Sequence, residues 1–166
     1  MTYATTCLLT FAAALLCSCS SSSSTKPKVV AKTSSGTRIP AVRTTAYTHS
    51  EADHIKYGAR TAVGTPLKYG NVRSAAADWS VYPVGTIFQI EGTPYIYQVD
   101  DYGSALVGTN TIDIYQPSKA SMNAWGVRHV NIRVLRWGSK AHSLAIMKDR
   151  SKHDHVRKMV QRLQRG

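Results

Sequence analysis

The chain has 166 residues and carries 21 Lys and Arg against 9 Asp and Glu, a net charge of +12. Its three cysteines, Cys7, Cys17 and Cys19, lie in the first 19 residues. The remainder is one domain long and offers no disulfide, thiol nucleophile or cysteine-based zinc site. Residues 26–138 hold 13 basic and 7 acidic side chains and residues 139–166 hold 8 and 2, so each part carries +6.

Leu8 to Leu16 is an apolar run of signal-peptide length, well short of the roughly 20 residues that cross a bilayer. Leu16-Cys17-Ser18-Cys19 follows, then Ser20 to Ser24. A leucine three positions before a cysteine, with small residues nearby, resembles the lipobox of bacterial lipoproteins. That resemblance implies a lipoprotein signal peptide over 1–18, an acylated Cys19 and a flexible Ser/Thr/Lys linker over 19–41. No Lys or Arg precedes the apolar run, and a cleaved but non-lipidated signal or a plain hydrophobic terminus stays open. Ser20 is not the aspartate associated with inner-membrane retention, so the outer membrane is the expected anchor site. In an exported chain the positive charge points to anionic envelope polymers or lipid head groups. Nucleic-acid binding rests on charge alone, and export argues against it.

From Val42 the texture changes to short β-branched or apolar runs punctuated by Gly, Pro and Asn. Strands are expected at Val42–Thr48, Ile87–Glu91, Tyr95–Val99, Thr111–Tyr115 and Val130–Trp137. The last is clearest, since Val130, Ile132 and Val134 alternate with Asn131 and Arg133. Pro83-Val84-Gly85 and Glu91-Gly92-Thr93-Pro94 mark turns on either side of one strand. Pro117–Trp125 reads as a short helix with Ser118 as its cap and Gly126 as its stop. The pattern predicts a mainly β fold, a small closed barrel over 42–138. Residues 139–166 form a basic helical tail, with Val156, Met159, Val160 and Leu163 on one stripe among arginines and lysines. That stripe either docks on the barrel, frays, or adheres to an anionic surface.

Seven acidic residues lie in the domain: Glu51, Asp53, Asp78, Glu91, Asp100, Asp101 and Asp113. Asp113 sits inside Thr111-Ile112-Asp113-Ile114-Tyr115, an apolar strand where a carboxylate is costly unless partnered. Asp101 ends one expected strand, and Asp78 follows Ala75-Ala76-Ala77. Barrel strands can bring these three together, and like charges in a desolvated pocket raise one pKa. A carboxyl group protonated near neutral pH is what a general acid requires. Structural aspartates that accept from backbone amides explain the same pattern. The aspartates do not form a calcium-type loop. His153-Asp154-His155 and the polar loop from His49 to His54 read as solvated faces rather than metal sites. No metal or cofactor is expected.

At these residues the chain resembles the 3D domain, a family named for three aspartates that forms an RlpA-like double-psi β-barrel. Thr45-Ala46-Tyr47-Thr48 resembles its first strand, and Thr61-Ala62-Val63-Gly64-Thr65 the segment after it. Asp78 with Pro83-Val84-Gly85-Thr86 resembles the first aspartate motif, and Asp101-Tyr102-Gly103 stands where the family has Asp-Thr-Gly. Gly108 and Ile112-Asp113-Ile114-Tyr115 resemble the third motif, and Ala124-Trp125-Gly126 precedes the closing strand. The chain departs from the family at Ser104 and Leu106-Val107-Gly108, where a second glycine and Ile-Lys-Gly are usual. Asp100 beside Asp101 leaves the second assignment open between them.

The resemblance implies a six-stranded barrel with one or two short helices and action on the glycan strands of peptidoglycan. By similarity to the C-terminal domain of membrane-bound lytic transglycosylase A, Asp113 would be the general acid and base of a non-hydrolytic cleavage yielding a 1,6-anhydro sugar. Asp101 and Asp78 would tune or orient it. Tyr47, Tyr102 and Trp125 are candidate sugar-stacking residues, with core packing the alternative for each. A barrel that binds glycan or loosens the wall without cutting remains the other reading.

Overall fold

The computed structural model describes Met1 and residues 36–165 apart from Asp53. The signal segment, Cys19 and the linker as far as Ser35 lie outside the described residues.

Six strands close into a barrel: β1 (Thr37–Tyr47), β2 (Val72–Ala77), β3 (Ile87–Ile90), β4 (Ile96–Asp101), β5 (Thr111–Tyr115) and β6 (Arg128–Arg136). Their order around the barrel is β1-β5-β2-β4-β3-β6. The β1–β5 and β2–β4 pairs are parallel and the other four are antiparallel. Closure leaves no free sheet edge to be covered. Inward-facing Val42, Ala75, Ala77, Phe88, Ile90, Tyr97, Val99, Ile112, Ile114, Ile132 and Val134 form the core.

The five expected strands are present, with β6 alternating as its sequence indicates. Two differences have local causes. β1 starts at Thr37, inside the stretch expected to be linker. Ile39 and Arg38 pair with Ile132 and Arg133 of β6, and Arg38 meets Glu91. The register then slips between Ile39 and Val42. There Ala41 takes a φ of 50° and its N–H donates to the Asn131 side chain at 3.2 Å, so Pro40 sits in a bulge where its missing N–H costs no ladder bond. The second difference is β2, which the sequence does not announce. Val-Arg-Ser-Ala-Ala-Ala has helical propensity, but β4 and β5 bracket it and its last four residues are buried. Tertiary pairing overrides propensity, and alanines fit because both faces are covered.

Helix α1 (Lys119–Trp125) has the expected ends. Ser118 accepts from the Ser121 N–H at 3.2 Å, the Ser121 hydroxyl accepts from the Ser118 N–H at 3.3 Å, and Gly126 closes the helix at φ 60°. This reciprocal cap satisfies two otherwise orphaned donors.

Residues 139–166 hold two helices, α2 (Lys140–Lys148) and α3 (Asp154–Arg165). Met147 of α2 and Val156, Met159 and Leu163 of α3 are buried in the same cluster as the barrel core. The Trp79 N–H points at the Met159 sulfur at 3.4 Å, and the Val84 N–H donates to Ser143 Oγ at 2.9 Å. Of the three alternatives for the apolar stripe, docking is realised, so the stripe is not free to enter a lipid surface. Arg157, Lys158 and Arg165 face outward. No helix among the described residues is long and apolar enough to cross a membrane.

The chain passes from β6 to α2 through Gly138, whose N–H donates to Thr86 Oγ1 at 3.0 Å. A Cβ there would collide with the carbonyl oxygens of Pro83 and Val84 and with the Thr86 nitrogen. Backbone atoms cannot rotate aside. Gly138→Ala is therefore expected to destabilise by about 3 kcal/mol, read as a lowered urea midpoint at unchanged m-value.

Candidate functional site

Strand register places the acidic pair. Asp113 of β5 lies between Thr45 of β1 and Ala76 of β2, and Ala76 pairs on its other side with Asp101 of β4. Thr45, Asp113, Ala76 and Asp101 thus form one row across four strands, on the barrel's outer face. The two aspartates flank a single alanine, about 10 Å apart at the backbone, with only a methyl group between them.

Burial differs from partnership here. Asp101 is 6% exposed and pairs with no cation among the described residues. Its Oδ1 accepts from the N–H groups of Ala62 (3.1 Å) and Tyr102 (2.9 Å), and its Oδ2 accepts from the Tyr47 hydroxyl at 3.2 Å. Burial outweighs these donors and pushes its pKa to about 6. Asp113 is half-buried and accepts from the Thr45 hydroxyl at 2.7 Å. Burial again dominates, Glu51 and Asp101 add like-charge repulsion, and Thr45 and Arg43 oppose, leaving Asp113 at about 6.

Asp100 shows why its neighbour keeps the site role. The β2–β4 register slips between Ala75 and Ala76, so Asp100 is the extra residue of a bulge. It meets Lys68 Nζ at 2.6 Å and Ser74 Oγ at 2.9 Å. Burial raises its pKa and Lys68 pulls it back.

Aromatic rings cover the row. Tyr47, Tyr115, Leu106 and Ala76, with Leu67 beside them, form a small apolar cluster separate from the core. The loop after β1 closes over them, with the His54 ring 5.5 Å from that of Tyr47 and His49 Nδ1 bonded to the Tyr115 hydroxyl at 2.8 Å. Glu51 holds this loop by accepting from the Thr48 N–H at 3.0 Å.

Asp78 stands apart from the pair. It is 1% exposed and accepts from the Ser80 N–H and hydroxyl, the Gly108 N–H (2.8 Å) and Arg162 of α3 (2.9 Å). All of its acceptor capacity is spent tying two loops and α3 together. Tyr102 is also elsewhere: its ring meets Trp79 edge-on at 4.9 Å, and Arg150 approaches its hydroxyl at 3.4 Å. Tyr47 is within the site. Trp125 lies in an adjoining groove of about 320 Å³, lined also by Tyr69, Arg73, Tyr95, Tyr97 and Arg128. The buried Trp125 indole N–H has no acceptor among the described residues. Among the described residues no group of three His, Cys, Asp or Glu is placed to hold a metal ion.

The structure adds Tyr115 and Thr45 to the acidic row, and Tyr69, Arg73 and Arg128 to the groove. Tyr115 and Thr45 were within reach, since period-two alternation puts Tyr115 on the Asp113 face and Thr45 on the Tyr47 face. The groove residues come from three separated segments, around residues 69–73, 95–97 and 125–128, and leave no joint local signal.

Residues 73–136 match the model of the 3D domain, a span that contains Asp78, Asp101 and Asp113. The chain is 35% identical over 117 residues to YabE of Bacillus subtilis (strain 168), named as a candidate cell wall shaping protein, which covers 69% of this chain and 28% of YabE. It is 36% identical over 95 residues to YocH of the same organism, named a cell wall-binding protein, covering 57% of this chain and 31% of YocH. The chain thus spans less than a third of the length of either relative. The ordered motifs, the closed barrel and this match agree: the chain carries a 3D domain.

Proposed function

We propose that this chain is an exported cell-envelope protein that acts on peptidoglycan glycan strands, cleaving them without water and with Asp113 as general acid and base. The observation that carries this reading is Asp113 itself: a carboxyl group held near pH 6 by burial and two neighbouring negative charges, on the outer face of the barrel. The names of its relatives, one for cell wall shaping and one for cell wall binding, support the substrate class. In the export reading Cys19 bears the lipid, with the outer membrane as its anchor site.

The chemistry follows from the protonation state. Protonated Asp113 gives its proton to the oxygen between N-acetylmuramic acid and N-acetylglucosamine as the C1–O bond breaks. The 6-hydroxyl of the muramic acid closes onto C1, and the Asp113 carboxylate takes that hydroxyl proton. A 1,6-anhydro end and a free 4-hydroxyl result, and the enzyme returns to its starting state. The substrate supplies its own nucleophile, so no second catalytic carboxylate is needed. Burial keeps Asp113 protonated, Glu51 and Asp101 add repulsion where they are ionised, and Tyr47 holds Asp101 in place. Asp78 acts on the fold rather than on the sugar.

The rate should fall as pH rises through about 6, where Asp113 loses its proton. Glu51→Gln removes a negative charge that raises this pKa while preserving the acceptor for Thr48. Its alkaline limb is expected at lower pH, with the maximal rate retained. An unmoved limb would show that Glu51 does not act on Asp113.

A second reading, a barrel that grips strands without cutting, is favoured by the groove beside the row, whose aromatic lining is independent of the acidic pair. Mass spectrometry of the products released from purified peptidoglycan decides. Anhydro-muropeptides from wild type and none from Asp113→Asn support cleavage. Reducing ends would indicate hydrolysis, and co-sedimentation without release would leave the binding barrel.

A further inference from the structure

We infer that the groove containing Trp125 takes a carboxylate of the peptide stem borne by the same strand, so that this domain prefers stem-bearing to bare glycan. The inference rests on the reading that the strand's sugars lie at Asp113.

Two arginines give the groove its chemistry. The Arg73 guanidinium lies 4.1 Å from the Tyr69 ring centre and 3.4 Å from that of Tyr95, between two aromatic faces. The Arg128 guanidinium lies 4.3 Å from the centre of the Trp125 ring. Stacking of this kind occupies the faces of a guanidinium, and the Nη protons not spent on backbone carbonyls, or on the Tyr97 hydroxyl beside Arg73, are left for a planar partner such as a carboxylate. Both heads are also steadied by backbone. Arg73 Nε donates to the Gly70 carbonyl at 3.3 Å, and Arg128 Nε and Nη2 donate to the Trp125 and Ala124 carbonyls at 2.9 and 3.0 Å.

Neither arginine has a carboxylate partner among the described residues, whereas Arg38, Arg133, Arg157 and Arg162 each have one. The groove therefore holds two oriented cations that no anion among the described residues meets. Neutral sugars need no such pair.

The groove also adjoins the acidic row. Tyr69 meets Tyr115 edge-on at 6.3 Å, and Tyr115 follows Asp113 by two residues on the same face of β5, about 7 Å along the strand. A muramic acid at Asp113 thus has its lactyl-linked peptide within reach of the arginines.

The test compares the full chain with its Arg73→Gln/Arg128→Gln variant on solubilised glycan strands, with stems intact or removed by an amidase, and on free stem peptide. Wild type should bind stem-bearing strands at least ~10-fold more tightly than bare ones, with an affinity that falls as salt rises. The double variant should lose that preference, its affinity for stem-bearing strands falling to its affinity for bare ones. Arg73→Lys/Arg128→Lys, which keeps charge but not the fork, should fall between, with all three melting alike.

Equal loss on both kinds of strand would assign the groove to sugar and overturn the inference. So would a wild type with no stem preference. If wild type binds neither kind of strand, the proposed function fails instead. Free stem peptide then still decides the groove: binding abolished in the double variant upholds it, and no binding by wild type refutes it.

Discussion

Asp113→Asn is expected to abolish strand cleavage and, at pH 7.5, to make the protein more stable. The carboxyl group is raised from 3.8 to about 6 in the folded chain. The folded state therefore binds this proton more tightly than the unfolded state does. As pH rises from about 3.8 to about 6, the unfolded chain ionises first, and folding is progressively disfavoured. Above about 6 the penalty is complete. A shift of about two units corresponds to about 3 kcal/mol, and because Asp113 is half-buried we expect about 1–3 kcal/mol after screening.

Asparagine keeps the Thr45 hydroxyl bond through its amide oxygen and does not ionise, so it escapes the penalty. Urea denaturation should thus show a gain at pH 7.5 that dwindles below pH 4. Equal destabilisation at both values would mean that Asp113 holds the barrel together and is not kept under strain for chemistry. Asp101, also at about 6, contributes with the same sign, so this pair makes the protein more stable near pH 4 than near pH 7.5.

Removing residues 139–166 is expected to unfold the barrel. Met147, Val156 and Met159 are wholly buried and Leu163 is 7% exposed. At about 1.5–3 kcal/mol for each buried side chain, their loss is on the order of 6–12 kcal/mol, comparable to the whole stability of a typical domain. Trp79, packed under Met159, would be left open to water. Circular dichroism should show loss of the cooperative thermal transition. A cooperative melt near that of the full chain would mean that the helices are accessory.

Two point variants separate the contributions. Arg162 is half-exposed and only one of four donors to Asp78, so Arg162→Met should cost about 1 kcal/mol. Asp78→Ala removes at once the acceptor of the Ser80 and Gly108 N–H groups and of Arg162, and should cost about 2–3 kcal/mol. The reverse order would show that the ion pair, rather than burial, fastens α3.

The three aspartates look equivalent in the sequence because the resemblance groups them, and each is a carboxylate near an apolar stretch. Their environments separate them. Asp113 could be suspected from sequence because its own neighbours, Ile112 and Ile114, imply burial. Asp101 and Asp100 are indistinguishable in sequence; a one-residue slip against β2 gives Lys68 to Asp100 and leaves Asp101 without a cation among the described residues. Asp78 offered no clue to its partner, since Arg162 lies 84 residues away.

Short-range physics was legible in the chain by itself. The alternation of β6, the cap and stop of α1, the turns around β3 and the order of the family motifs all depend on residues within a few positions of one another. They were sufficient for a mainly β closed barrel with a C-terminal helix. Only the tertiary structure decided that an alanine run becomes β2, that Ala76 joins Asp101 to Asp113, that α3 turns its apolar stripe inward, and that Arg73 and Arg128 share a groove. Each of these depends on strand register or helix docking, where the free energy comes from contacts between distant segments. Propensity and periodicity carry no record of such contacts.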